Sequence, residues 1–146
     1  MLNPQTKTWE NRLLDLAHEA LDSHRPVEPL DIHDVLLEQA YQACEEITRT
    51  HSRTFYLASG LLPPEKRRAA RALYAFCRVS DDLVDNSQGD AHANLMNWQK
   101  RSLSMQPAEN DLVAVAWADT RARFHIPRRY AEQLIEGVER DISQSR

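Results

Sequence analysis

Residues Tyr74 to Asp85, YAFCRVSDDLVD, set an aromatic ring, an arginine and two carboxylates in line on one helix. At roughly 100° per residue, with Tyr74 as zero, Arg78 falls at about +40°, Asp81 at about −20° and Asp85 at about +20°. Asp82 lies to the side at about 80°, whereas Ala72, Phe76, Val79 and Leu83 gather in the opposite direction. One helix therefore carries a polar stripe and a packing face. The stripe is expected to look into a groove, with Tyr74, Arg78, Asp81 and Asp85 exposed and Phe76, Val79 and Leu83 buried.

Carboxylates one helical turn apart have side chains about 6 Å apart. That is too far to chelate one Mg²⁺ tightly, but it suits hydrated ions bridged by phosphate oxygens. Arg78, one turn before Asp82, adds a planar donor fork that matches phosphate, and Tyr74 adds a ring with a hydroxyl handle. The competing meaning of the same spacing is an i,i+4 surface pair between Arg78 and Asp82, which is what most charged helix faces hold.

The stretch upstream extends the pattern. HSRTFYLASGLLPPEKRRAARALYAFCRVSDDLVD, residues 51–85, reads as two helices joined by a proline turn. With it the chain closely resembles the squalene and phytoene synthase family, the head-to-head prenyl transferases, from about Leu36 to Arg146. The resemblance implies that His51, Ser52, Arg53 and Thr54 line the entrance of a diphosphate site and that Phe55 lies against the prenyl chain. It implies that Tyr74 and Arg78 contact substrate and that Asp81 and Asp85 hold Mg²⁺, with Mn²⁺ as an alternative ion and Asp82 in support. Read without the resemblance, His51 is a helix-end or core histidine, and Ser52 and Thr54 bond back to the preceding turn. Arg53 is then one more exposed cation beside Arg49, Lys66, Arg67, Arg68 and Arg71.

The activity implied is condensation of two allylic prenyl diphosphates. Diphosphate leaves one of them, the cation is attacked by the double bond of the other, and a cyclopropylcarbinyl diphosphate rearranges to a linear C30 or C40 hydrocarbon. Such a site needs cations for the departing group, a dry interior and an apolar tunnel. Ala58, Leu61, Leu62, Leu73 and Ala75 are candidates for the tunnel side, or else plain core. The segment 56–85 looks most like carotenoid enzymes, so phytoene synthase is favoured over squalene or hydroxysqualene synthase. NADPH would be required only for squalene formation.

Composition agrees with an all-α chain. The 146 residues are 42 % hydrophobic and include only three glycines, with long periodic stretches between breakers. The net charge of −4 and a pI near 5.8 give no footprint for nucleic acid. No apolar run approaches the length of a transmembrane span, and MLNPQTKTWENR has no secretory h-region. Cys44 and Cys77 match no metal spacing and are expected as reduced core thiols of a cytoplasmic protein, with a peripheral membrane contact compatible with the family.

About six helices are expected, forming the N-terminal half of an isoprenoid-synthase-type bundle. Residues 1–30 form a leader with an amphipathic stretch from Thr6 to Ser23, and residues 31–146 the synthase-like half. Asp31 is a candidate cap for a helix to about His51, and a short helix spans Phe55 to Gly60. The acidic helix opens at Pro64 and closes at the NSQGD signal after Asp85. Further helices are expected from Ala91 to about Met105, Asp111 to Phe124, and Pro127 through Ile142. The second acidic motif of the family would follow Arg146. The missing half, or self-association through uncovered apolar faces, is therefore the expected macromolecular partner. A non-catalytic assembly protein of the same fold and a helical interaction domain are the alternatives.

Overall fold

The computed structural model describes residues 11, 14–15, 32–85 and 90–144, without the side chains of 85, 138–139 and 141–144. Six α-helices follow one another: α1 Asp34–His51, α2 Arg53–Ser59, α3 Pro64–Asp85, α4 Ala91–Ser102, α5 Leu112–Arg123 and α6 Arg128–Gln144. No strand occurs among the described residues. The chain is all-α, consistent with the isoprenoid-synthase type. Most of the leader, Asp31 and the NSQG residues 86–89 lie outside the described residues.

Local chemistry explains the boundaries. His33 caps α1, its Nδ1 accepting from the Val35 N–H at 3.2 Å, and Leu37, Ala40, Tyr41, Cys44 and Thr48 bury a stripe at spacings of three and four. Ser52 closes α1 and opens α2 at once: its N–H donates to Thr48 O at 2.8 Å and its Oγ accepts from the Phe55 N–H at 3.2 Å. Pro64 stands first in α3, where a missing N–H costs nothing. Asp90 caps α4 through the Ala93 N–H.

Two ends differ from expectation by a few residues. α4 stops at Ser102, not Met105, because the Ser104 hydroxyl accepts from the Gln106 N–H and draws the chain into a turn. α5 ends with His125 in the left-handed region at φ 51°, while the Ile126 N–H reaches back to Arg121 O at 2.9 Å. That reversal sends the chain into α6.

α3 is the centre of the bundle, packed against α1, α2, α4, α5 and α6. Its alanines 69, 70, 72 and 75 are all buried and let neighbours come close. Phe76 is fully buried, stacked on Trp117 at 4.8 Å and tilted against Trp98 at 6.1 Å. The Trp98 indole N–H donates to Ser80 Oγ at 2.8 Å. Cys44 and Cys77 are free and buried, and burial pushes the Cys44 thiol up to about 12.

The central position of α3 corrects the exposure expected of its polar stripe. Tyr74 is 3 % and Asp81 1 % exposed, so neither looks into open solvent. Val79 and Leu83 are half-buried at the edge of the core. The helical phase separates two faces correctly, but a helix surrounded by five neighbours has no solvent side along its middle turns.

Candidate functional site

The residues 51–55 form the elbow between α1 and α2. His51 ends α1 on the surface, Ser52 is consumed in capping, and Arg53 and Thr54 are exposed on the first turn of α2. Phe55 turns inward and stacks on Tyr74 of α3, ring centroids 5.1 Å apart and planes at 28°. This contact sets the elbow against the polar stripe. One turn further along α3, Arg78 Nη2 pairs with Asp82 Oδ1 at 2.9 Å, both side chains about one-third exposed or less. Burial works against the Arg78 charge, but the charge and hydrogen bond of Asp82, followed by Tyr74 and Asp81, outweigh it and hold the guanidinium above its ordinary range.

The structure thus joins Phe55 to Tyr74 and Arg78 to Asp82, on one side of α2 and α3. Asp81 lies buried beside them, and Asp85 is the last residue of α3. The ion pair read from the i,i+4 spacing exists, and it lies at the edge of the core. Among the described residues no group of three His, Cys, Asp or Glu side chains is placed to hold a metal. The donor chemistry of Asp81, Asp82 and Asp85 nonetheless fits a hard divalent cation, since hydrated Mg²⁺ is commonly bound through one or two carboxylates plus phosphate oxygens.

Two polar assemblies were not evident from the sequence. Arg71, read as one of several exposed cations, is 7 % exposed. Its Nε donates to Ser59 Oγ at 3.0 Å and its Nη2 to Tyr56 O at 3.0 Å; its Nη1 lies 3.6 Å from Glu45, and its guanidinium covers the Tyr56 ring at 4.2 Å. Arg71 therefore ties α1, α2 and α3 behind the elbow. The signal was a lone cation inside the apolar run 69–77. In the second assembly, fully buried Asp119 accepts from the Tyr41 hydroxyl at 2.5 Å and from Arg123 Nε at 2.7 Å, fastening α1 to α5. A lone carboxylate within AVAWADT was the comparable signal.

The tunnel candidates separate. Leu73 and Ala75 are core, Leu62 is half-buried, and Ala58 and Leu61 are exposed on the outer side of α2 and its turn.

An all-α chain whose central helix sets an arginine and aspartates beside a capped His-Ser-Arg-Thr-Phe elbow has the arrangement expected of an isoprenoid-synthase-type protein. The family model for squalene/phytoene synthase matches residues 48–146. The chain is 35 % identical over 123 residues to "Phytoene synthase 3, chloroplastic" of Zea mays, covering 82 % of this chain and 29 % of that protein. It is 37 % identical over 113 residues to the "15-cis-phytoene synthase" of Synechococcus elongatus, covering 75 % and 37 % respectively. It is 35 % identical over 114 residues to "Phytoene synthase 1, chloroplastic" of Arabidopsis thaliana, covering 76 % and 27 %. The chain belongs to the squalene/phytoene synthase family, and it spans about a third of the length of these relatives. No solved structure matches it significantly.

Proposed function

We propose that this chain forms one wall of the active site of a Mg²⁺-dependent head-to-head prenyl transferase of the phytoene synthase type, with geranylgeranyl diphosphate as substrate. The observation that carries the reading is the stacking of Phe55 on Tyr74, which holds the His51–Thr54 elbow against the helix of Arg78 and Asp81. The names of the similar plant and cyanobacterial proteins favour phytoene over squalene as product.

In this reading His51, Arg53 and Thr54 present donors to the diphosphate at the surface, and Ser52 keeps the elbow in shape. Arg78 shares its fork between Asp82 and a phosphate oxygen as charge develops on the leaving group. The Phe55 and Tyr74 rings flank the first part of the prenyl chain and keep water from the carbocation. Mg²⁺ held by Asp81 and Asp85, with Asp82 in support, supplies neutralisation of the departing diphosphate.

The test is calorimetric titration of the chain with a non-reactive prenyl thiodiphosphate, with and without Mg²⁺. Binding should need Mg²⁺ and should weaken in Arg78→Ala. Equal binding without metal, or none in either condition, would assign the acidic stripe to a helical interaction surface instead.

A further inference from the structure

The side of α2 facing away from α1 and α3 carries Arg53, Leu57 and, just past the helix end, Leu61, spaced i, i+4 and i+8 in one row. Leu57 is 61 % and Leu61 88 % exposed, the most exposed large apolar side chains among the described residues. Exposed Pro63 and Pro64 follow, and Arg67 Nη2 donates to Leu62 O at 3.2 Å, holding the turn in place. A single exposed leucine is ordinary. Two in a row at a proline-stiffened tip form an apolar spur on an otherwise polar edge.

The charges around the spur run against those of the chain. Arg53 stands at one end and Lys66 and Arg67 at the other, with Glu65 the carboxylate among them, on a chain of net charge −4. A local cationic rim on an acidic protein attracts an anionic partner, and an apolar tip within such a rim matches the layered polarity of an anionic lipid surface, phosphates outside and acyl chains beneath. The row also parallels the proposed substrate. Arg53 belongs to the diphosphate elbow, and Leu61 lies eight residues on, roughly 12 Å at helical rise, so head group and tail of a membrane-borne prenyl diphosphate would meet the protein in the same order.

We infer that the α2–α3 turn is an interfacial anchor: Leu57 and Leu61 enter the acyl boundary of an anionic bilayer while Arg53, Lys66 and Arg67 meet its phosphates, setting the elbow at the lipid surface. The inference rests on the proposed function only for what the anchor serves. Lipid binding itself follows from the turn.

The experiment is flotation of the 146-residue chain with phosphatidylcholine vesicles, with and without phosphatidylglycerol, in the absence of prenyl diphosphate and Mg²⁺. The chain should float with the anionic vesicles. The double variant Leu57→Ser, Leu61→Ser should bind at least about tenfold more weakly. Lys66→Gln should weaken binding to anionic vesicles alone, and Met96→Ser, an exposed apolar residue on α4, should leave it unchanged. Unaltered melting of the variants shows that the fold is kept, since the changed side chains are surface ones. Failure of the wild-type chain to float, or flotation of the double variant like wild type, overturns the anchor. So does absence of flotation together with a dimer that the double variant converts to monomer, which makes the row a chain-to-chain contact. The thiodiphosphate titration contains no vesicles, so either reading can fall while the other stands.

Discussion

Arg78 sits between two carboxylates of α3, and the structure shows which one it engages. Asp82 takes its hydrogen bond at 2.9 Å, while Asp81 contributes only through charge. Replacing Arg78 by Lys keeps the charge but loses the planar fork, so Mg²⁺-dependent prenyl thiodiphosphate binding should fall by about tenfold or more despite the conservative appearance of the change. Asp82→Asn should be milder, because it releases Arg78 toward phosphate as it removes a supporting charge. Asp81→Asn should raise the Mg²⁺ concentration needed for binding. Wild-type titrations for Arg78→Lys and Asp81→Asn would show that the stripe has no part in diphosphate binding. A second residue-level consequence concerns alkaline pH. Burial holds the Cys44 thiol at about 12 and pushes the Tyr41 phenol up as well, with Asp119 adding to the effect. Both groups stay protonated in the fold while the unfolded chain loses its protons above the ordinary values near 9 and 10. Stability is therefore full below about pH 9 and declines as pH rises from there toward 12, by up to about 1.4 kcal/mol per pH unit for each such group. Melting curves across this range should show a shallower decline for Cys44→Ala, and again for Tyr41→Phe, than for wild type.

Among the elements, α3 combines what the sequence made legible with what it hid. The phase of Phe76 against Tyr74 and Arg78 could be read from spacing alone, and so could the proline start and the end of the helix at Asp85, because each depends on residues within a turn or two. Burial of Tyr74 and Asp81 depends on where four other helices lie, and no local period encodes that. Arg71 makes the same point: its partners Ser59, Tyr56 and Glu45 come from two other helices, and only the fold brings them to it. The elbow was legible as a motif, yet Ser52's role as a double cap appears only with the backbone in place. Two substitutions separate these contributions. Phe76→Ala should cost about 3 to 5 kcal/mol in chemical denaturation by opening a cavity between Trp98 and Trp117, with no particular change in Mg²⁺ dependence. Arg71→Met keeps the apolar stem but strands the Ser59 hydroxyl and the Tyr56 carbonyl. It should cost about 1 to 3 kcal/mol and also weaken prenyl thiodiphosphate binding, because the elbow is then held to α3 mainly by the Phe55–Tyr74 stack. Unchanged binding in Arg71→Met would mean that this stack positions the elbow by itself.

At the scale of the whole molecule, the core and the candidate site make different demands. Six helices close two joined apolar clusters around α3 and α5, so the chain has an interior of its own. No described helix is long and apolar enough to cross a membrane. The site is less complete than the core: among the described residues no third metal-binding side chain joins the aspartates of α3, and the chain spans about a third of relatives such as the Zea mays protein. Departure of diphosphate requires neutralisation of several negative charges at once, and one acidic helix offers only part of the necessary shell. Binding and turnover should therefore come apart. Purified and supplied with geranylgeranyl diphosphate and Mg²⁺, the chain should bind substrate without forming phytoene, and adding a separately expressed segment that carries a second acidic motif should restore product. The measurement is hydrocarbon extraction and chromatography over long incubations with each component alone and with both together. Phytoene from the 146 residues alone would show that α3 and the elbow suffice for the chemistry. Product from neither arrangement, with Mg²⁺-dependent binding intact, would make the chain a binding wall whose fold retains the substrate site without its reaction.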